Sequence, residues 1–307
     1  MKTGRFKSET DLRLYREAYD EVLARLPPPA RSLDIPTPFG GVHVHEWKKD
    51  NDSRPPVFLL PGRSAGSPMW EMNLPDFIAQ RTVYAVDFLG DAGLSVQTRA
   101  FASADDIAVW IAAVLDALRL PKIHLTGHSF GGGNAAGFAV RRPERLASLA
   151  LIDPAFALNS PPVSVLLYAT AASLKFLPKK WRDGALARMT GDSTPGAGQE
   201  EDALARMIQI AASGFTASLP TPKPLTKPQL RGFSVPVYVA LAGNSPITRE
   251  AEAKAALLPE AVIKTWENAT HSLPMEETAA LDTALEAFWA ANDIVNQLEN
   301  DPRGKAS

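Results

Sequence analysis

A regular alternation of short, largely apolar runs with longer amphipathic ones constrains this chain more than any other feature. "VFLL" (57–60), "VYAVDF" (83–88), "KIHLT" (122–126), "LASLALID" (146–153), "PVYVALAG" (236–243) and "AVIKTWEN" (261–268) read as strands. Runs without a polar face must be covered on both sides, which is the condition of a parallel sheet. Between them lie helical patterns: "SADDIAVWIAAVLDAL" (103–118), opened by a Ser103/Asp106 capping box, and "FGGGNAAGFAVRR" (130–142). A helix from about Arg249 and a last one near 276–291 continue the scheme. The prediction is an α/β fold, a mostly parallel sheet flanked by helices, and 307 residues are enough to bury such a core.

Two segments depart from the alternation. Leu12, Tyr15, Tyr19, Val22, Leu23 and Leu26 recur at helical spacing until "PPPA" stops the helix, and "LDIPTPFGGVHVHEW" reads as two antiparallel strands around Gly40-Gly41. From about Pro154 to Phe233, "VSVLLYATAASLKFL", "WRDGALARMTG" and "EEDALARMIQIAASGF" read as helices, separated by "GDSTPGAGQ" and closed by "LPTPKPLTKPQL". The organisation expected is an N-terminal helix in 1–30, a core in 31–153 and 234–295, a helical cap in 154–233, and a tail in 296–307. The cap residues Val163, Val165, Leu166, Leu167, Tyr168, Leu174, Phe176 and Leu177 either line an apolar pocket or, as such stripes more often do, pack their helices down.

Composition removes several function classes. A net charge of −2 gives no reason to expect a nucleic-acid or anionic-membrane partner. With no cysteine, disulfides, thiolate zinc sites and cysteine nucleophiles are excluded. The opening segment is too charged for a signal peptide, and no apolar run reaches the length of a membrane span. A soluble cytoplasmic protein, monomer or homodimer, is expected.

The chemistry concentrates in "HLTGHSFGGG". Gly127-His128-Ser129-Phe130-Gly131 matches G-x-S-x-G between a predicted strand and a predicted helix, the context that separates a nucleophile from an ordinary glycine-rich turn. The turn exposes the Ser129 hydroxyl and places the Phe130 N–H at a helix N-terminus, oriented for a developing oxyanion. His43 and His45 form an H-x-H on one strand face, but no third ligand accompanies them, so no metal site is expected. His124 lies inside a strand and reads as core or edge. His128 flanks the serine and reads as lining the site rather than as its base.

From about Leu33 to Ala291 the chain resembles the α/β-hydrolase family, as a carboxylesterase-like serine hydrolase with a helical cap and an eight-stranded, mostly parallel sheet. "VFLLPGRSAGSPMW" resembles the family's strand and His-Gly-x turn, with Pro61 in place of histidine; this implies Arg63 N–H as second oxyanion donor beside Phe130, and Gly62 and His128 against substrate. "VYAVDFLGDAGLS" resembles the Asp-x-x-Gly-x-Gly-x-Ser loop through Asp87, Gly90, Gly93 and Ser95, with one extra residue between the glycines. "WENATHSLPMEE" resembles the loop that delivers the base, which implies His271.

The acid that orients the base is less plain. The usual loop, "AGNSPITRE", offers no carboxylate before Glu250. Asp153 is one candidate, since some family members, haloalkane dehalogenases among them, carry the acid after this earlier strand. Glu250 reaching back is another. In the last reading Asn244 or Ser245 orients the histidine weakly, or the protein binds without turning over. The expected reaction is cofactor-free acyl transfer on a small ester-type substrate; lactone, thioester or carbon–carbon hydrolysis and perhydrolysis would use the same residues. A scaffold that dimerises through its N-terminal helix is the rival outside catalysis.

Overall fold

A computed structural model of the chain describes residues 2–174, 176–191 and 202–300. It opens with β1 (Arg5–Phe6) and α1 (Glu9–Leu23), capped by Ser8. The hairpin of β2 (Arg31–Thr37) and β3 (Gly40–Trp47) leads to β4 (Val57–Leu60) and α2 (Leu74–Gln80). There follow β5 (Val83–Val86), β6 (Val96–Gln97), α3 (Ala104–Ala117), β7 (Ile123–His128), α4 (Ser129–Arg141) and β8 (Leu146–Ile152). The inserted segment holds α5 (Val163–Ser173), α6 (Lys179–Thr190), α7 (Ala203–Gly214), β9 (Phe215–Thr216) and α8 (Lys227–Arg231). The chain then returns to the sheet with β10 (Val237–Ala242), α9 (Glu252–Ala255), β11 (Val262–Trp266), α10 (Leu273–Glu276) and α11 (Thr278–Asn300).

The main sheet runs β11-β10-β8-β7-β4-β5-β3-β2. Pairing is parallel from β11 to β5, and antiparallel where β3 meets β5 and β2. A ninth strand joins the expected eight because β6 pairs antiparallel with Gly40 and Gly41 of β3. Every residue of β4, β5, β7, β8 and β10 is buried, as two-sided cover requires. Alternation along a strand divides the core into two layers. Phe58 and Leu60 join Trp110, Ile111 and Phe138 of α3 and α4, whereas Val57 and Leu59 join Tyr19, Phe77 and Trp289 of α1, α2 and α11. Each large side chain so buried contributes about 1.5–3 kcal/mol.

Several boundaries differ from expectation for identifiable reasons. The Ser103/Asp106 capping box is present and opens α3. The helix expected from Arg249 is reduced to α9, because Glu250 adopts a left-handed φ of +63° and Pro259 follows soon after. α11 continues through 296–300, so the expected tail is helical there. Residues 192–199 of the expected linker and 301–307 of the tail lie outside the described residues.

The inserted helices also differ. α5 is largely apolar and covers only one face: Val165 packs with Ala155 and Ile247, while Val163 (72% exposed), Leu166 and Leu167 face outward, as does Phe176 (80% exposed) beyond its end. α7 instead shares a layer with α1, through Leu204, Met207 and Ala211 against Tyr15, Ala18 and Val22. The two-residue pairing of β1 with β9 fastens the same contact. Among the described residues no helix is long and apolar enough to cross a membrane.

Candidate active site

The turn from β7 into α4 is sharp enough to hold Ser129 at a left-handed φ of +54°. A non-glycine residue there costs roughly 1–3 kcal/mol and persists only where its surroundings enforce it. Here the enforcement is steric. A Cβ on Gly127 would lie 2.6 Å from the Gly131 carbonyl carbon, and one on Gly131 would lie 2.6 Å from the Leu60 carbonyl oxygen. Backbone therefore meets backbone on both sides of the serine, and glycine alone fits.

His271, in the turn between β11 and α10, reaches the same point from far along the chain. Its Nε2 lies 2.8 Å from Ser129 Oγ and its Nδ1 2.5 Å from Asp153 Oδ2, all three side chains buried. Asp153 follows β8 directly, at a left-handed φ of +40°, and β8 lies beside β10. Its other oxygen, Oδ1, accepts from the Ala242 N–H at 3.1 Å and from the Thr248 hydroxyl. Burial alone would raise this carboxyl; bonds from His271, Ser245 and Thr248 outweigh it and hold the group below the usual aspartate value.

The other acid candidates stand apart from this arrangement. Glu250 is exposed and forms no hydrogen bond with His271. Asn244 donates through Nδ2 to the Asn268 carbonyl at 3.0 Å. The loop without a carboxylate thus acts on the aspartate: Ser245 and Thr248 anchor Asp153. Sequence reasoning missed Thr248; the signal was a run of hydroxyl and amide residues just after the neighbouring strand.

The loop after β4 brings Gly62 and Arg63 beside the elbow, where a Cβ on Gly62 would stand 3.5 Å from Ser129 Cβ. The Gly62 N–H is taken by Met69 Sδ at 3.0 Å. The N–H groups of Arg63 and Phe130 have no acceptor among the described residues, the latter as one of the unpaired donors of a helix start. The Arg63 guanidinium lies over the Phe130 ring at 5.4 Å, with its Nε 3.9 Å from Asp91.

A second tier of residues, unforeseen in their roles, fixes this loop. Asp91 accepts the Ser64 N–H at 2.9 Å, and Asp87 accepts the N–H groups of Ser67 and Leu94, each at 2.7 Å. Tyr19 of α1 bonds Ser67 Oγ and His45 Nε2, each at 2.8 Å. The N-terminal helix therefore buttresses the site from beneath.

The remaining histidines are also accounted for. His43 and His45 share a face, their rings 4.7 Å apart, and bond to Asp34 and to Ser32. His124 is buried between Ser148 and Asp293. His128 is buried; its Nε2–H donates to the His271 carbonyl at 2.9 Å, while Nδ1 has no partner. Burial first, then the nearby His271, pushes its pKa down to about 3, so the ring is neutral.

Comparison with known proteins agrees with the fold. The family described as "Alpha/beta hydrolase family" matches residues 57–285. Carboxylesterase YbfK of Bacillus subtilis (strain 168) is 28% identical over 293 residues, 91% of this chain and 94% of the relative. The crystal structure of naproxen esterase (carboxylesterase NP) from Bacillus subtilis superimposes with a TM-score of 0.82 at 25% identity, over 92% of this chain and 99% of that one. That of carboxylesterase CesB (YbfK) gives 0.82 at 28% identity, over 92% and 98%. Sheet order, elbow and sequence match converge: the chain belongs to the alpha/beta hydrolase family.

Proposed function

We propose that this protein is a serine carboxylesterase in which Ser129 is the nucleophile, His271 the general base and Asp153 the acid. The observation that carries the proposal is the unbroken chain of hydrogen bonds from Ser129 Oγ through His271 to Asp153, at 2.8 and 2.5 Å. Relatives named carboxylesterase over most of their length support ester hydrolysis as the reaction.

Ser129 Oγ attacks the ester carbonyl carbon and gives its proton to His271 Nε2. The imidazolium so formed is stabilised through its Nδ1–H by the Asp153 carboxylate, which keeps its charge. The Phe130 and Arg63 N–H groups hold the oxyanion. His271 returns the proton to the departing alcohol, leaving an acyl-Ser129 ester. Water, deprotonated by His271, then attacks that ester; the bond to Ser129 Oγ breaks, His271 returns the proton to Oγ, and the carboxylic acid is released. Ester plus water gives acid plus alcohol, and no cofactor enters. Lactones and thioesters fit the same sequence of steps.

In this reading the inserted helices of 154–233 form the cap over the substrate, which Gly62 adjoins, and the enzyme works in the cytoplasm as monomer or homodimer. A protein that binds without turnover was suggested by the bare loop after β10. Asp153 bonded to His271 removes that motive. A fluorophosphonate probe should label Ser129, and Ser129→Ala should abolish both labelling and p-nitrophenyl acetate hydrolysis. Labelling elsewhere, or hydrolysis that survives the substitution, would overturn the assignment.

A further inference from the structure

His271 is gripped by its main chain as well as by its ring. Its N–H donates to the Thr190 carbonyl at the end of α6, 2.8 Å away, and its carbonyl accepts from His128 Nε2–H at 2.9 Å. The first contact is backbone to backbone; the second is made by a side chain and is open to substitution. His128 is also wedged against the loop carrying Gly62, where an added Cβ would stand 2.9 Å from its Nδ1. One buried ring thus touches the elbow, the oxyanion loop and the histidine loop, whose mutual placement decides whether Ser129, base and oxyanion donors meet.

We propose that His128 is a positioning residue, whose Nε2–H fixes the His271 backbone and thereby aims the His271 ring at Ser129. The inference rests on the acyl-transfer reading above. A carbonyl cannot donate, so the hydrogen bond to it fixes the tautomer: the proton is on Nε2, and Nδ1 is bare. Burial keeps the ring neutral, so when His271 becomes an imidazolium, the imidazole 4.7 Å away adds no competing charge. An ammonium or guanidinium donor in the same place would oppose that charge. This role differs from a substrate contact, because the one hydrogen bond the ring forms runs to the histidine loop.

A net hydrogen bond of ordinary strength corresponds to about tenfold in rate, and misplacement of a reacting group to about a hundredfold. Two variants separate the bond from the bulk. His128→Gln carries an amide nitrogen near the former Nε2; His128→Asn is too short to reach the carbonyl. The readouts are kcat and KM on p-nitrophenyl acetate, the fluorophosphonate labelling rate, and the downfield proton signal of the His271 Nδ1–H shared with Asp153.

The asparagine variant should lose about 10–100-fold in kcat and labelling rate, keep KM within about twofold, and broaden the downfield signal. Glutamine should restore kcat to within about fivefold and recover the signal. Raised KM with unchanged kcat would make His128 a substrate contact and overturn the proposal; so would equal losses in both variants, since ring shape would then be the cause. Wild-type protein provides a test independent of mutant folding: nitrogen-resolved NMR must show His128 neutral and protonated on Nε2 across about pH 5 to 8. A His128 that titrates in that interval, or carries its proton on Nδ1, refutes the role. Failure of wild-type Ser129 to label would instead sink the acyl-transfer reading itself.

Discussion

Asp153→Asn isolates the one site residue whose identity the sequence left open, and the local donors dictate what the amide must do. Oδ1 already accepts from the Ala242 N–H and the Thr248 hydroxyl. An asparagine keeps its oxygen there, because an NH2 group would face two donors. Its nitrogen then points at His271 Nδ1, which must become an acceptor. The imidazole proton moves to Nε2 and faces Ser129 Oγ, so the base can no longer take the serine proton. The same tautomer error costs about 10⁴ in kcat in serine proteases, or about 5.4 kcal/mol of transition-state stabilisation. Steady-state hydrolysis of p-nitrophenyl acetate, with thermal melting as the control for folding, measures it. Glu250→Gln, a change at an exposed side chain, should alter kcat by less than about twofold. A kcat for Asp153→Asn within tenfold of wild type, or a large loss in Glu250→Gln, would refute the reasoning.

Three further substitutions probe the support around the site. Thr248→Val removes one of the two donors on Asp153 Oδ1 and should lower kcat by about tenfold with KM unchanged; an unaltered kcat would mean Ala242 N–H suffices. Tyr19→Phe deletes the hydroxyl between His45 and Ser67 and should cost about 1–3 kcal/mol in urea unfolding; a loss below about 0.5 would deny the helix its buttressing role. Burial raises the Asp282 carboxyl to about 7 from the ordinary 3.8, so ionisation favours the unfolded chain: the cost is absent below the ordinary value, grows between the two, and is complete above about 7. Asp282→Asn should therefore raise the melting temperature at pH 8 more than at pH 4; equal shifts at both values would contradict the linkage.

Much of the fold was legible because its causes are local. Wholly apolar runs such as "VFLL" allow no exposed face, and the order in which they alternate with helices leaves few topologies besides a parallel sheet. The elbow was legible for the same reason, since Gly127 and Gly131 are demanded by contacts within one turn and the adjoining strand end. α5 was misjudged because its pattern is largely apolar, and periodicity cannot say which face finds a partner.

Ser129 at the tip of the elbow, and the kind of loop that brings His271 to it, were thus legible in the order of residues alone. Which carboxylate meets that histidine was not. Asp153 and His271 are 118 residues apart, and their contact exists because β8, β10 and β11 lie side by side in the sheet, which brings the ends of β8 and β11 to the same edge. The carboxylate-free loop after β10 could be understood only once Ser245 and Thr248 were seen to hold Asp153 from across that pairing. Tyr19 under the oxyanion loop and His128 on the His271 carbonyl belong to the same class. Short-range sterics and hydrophobic period are written into neighbouring residues, whereas a hydrogen bond between distant segments depends on where the whole chain has carried its two ends.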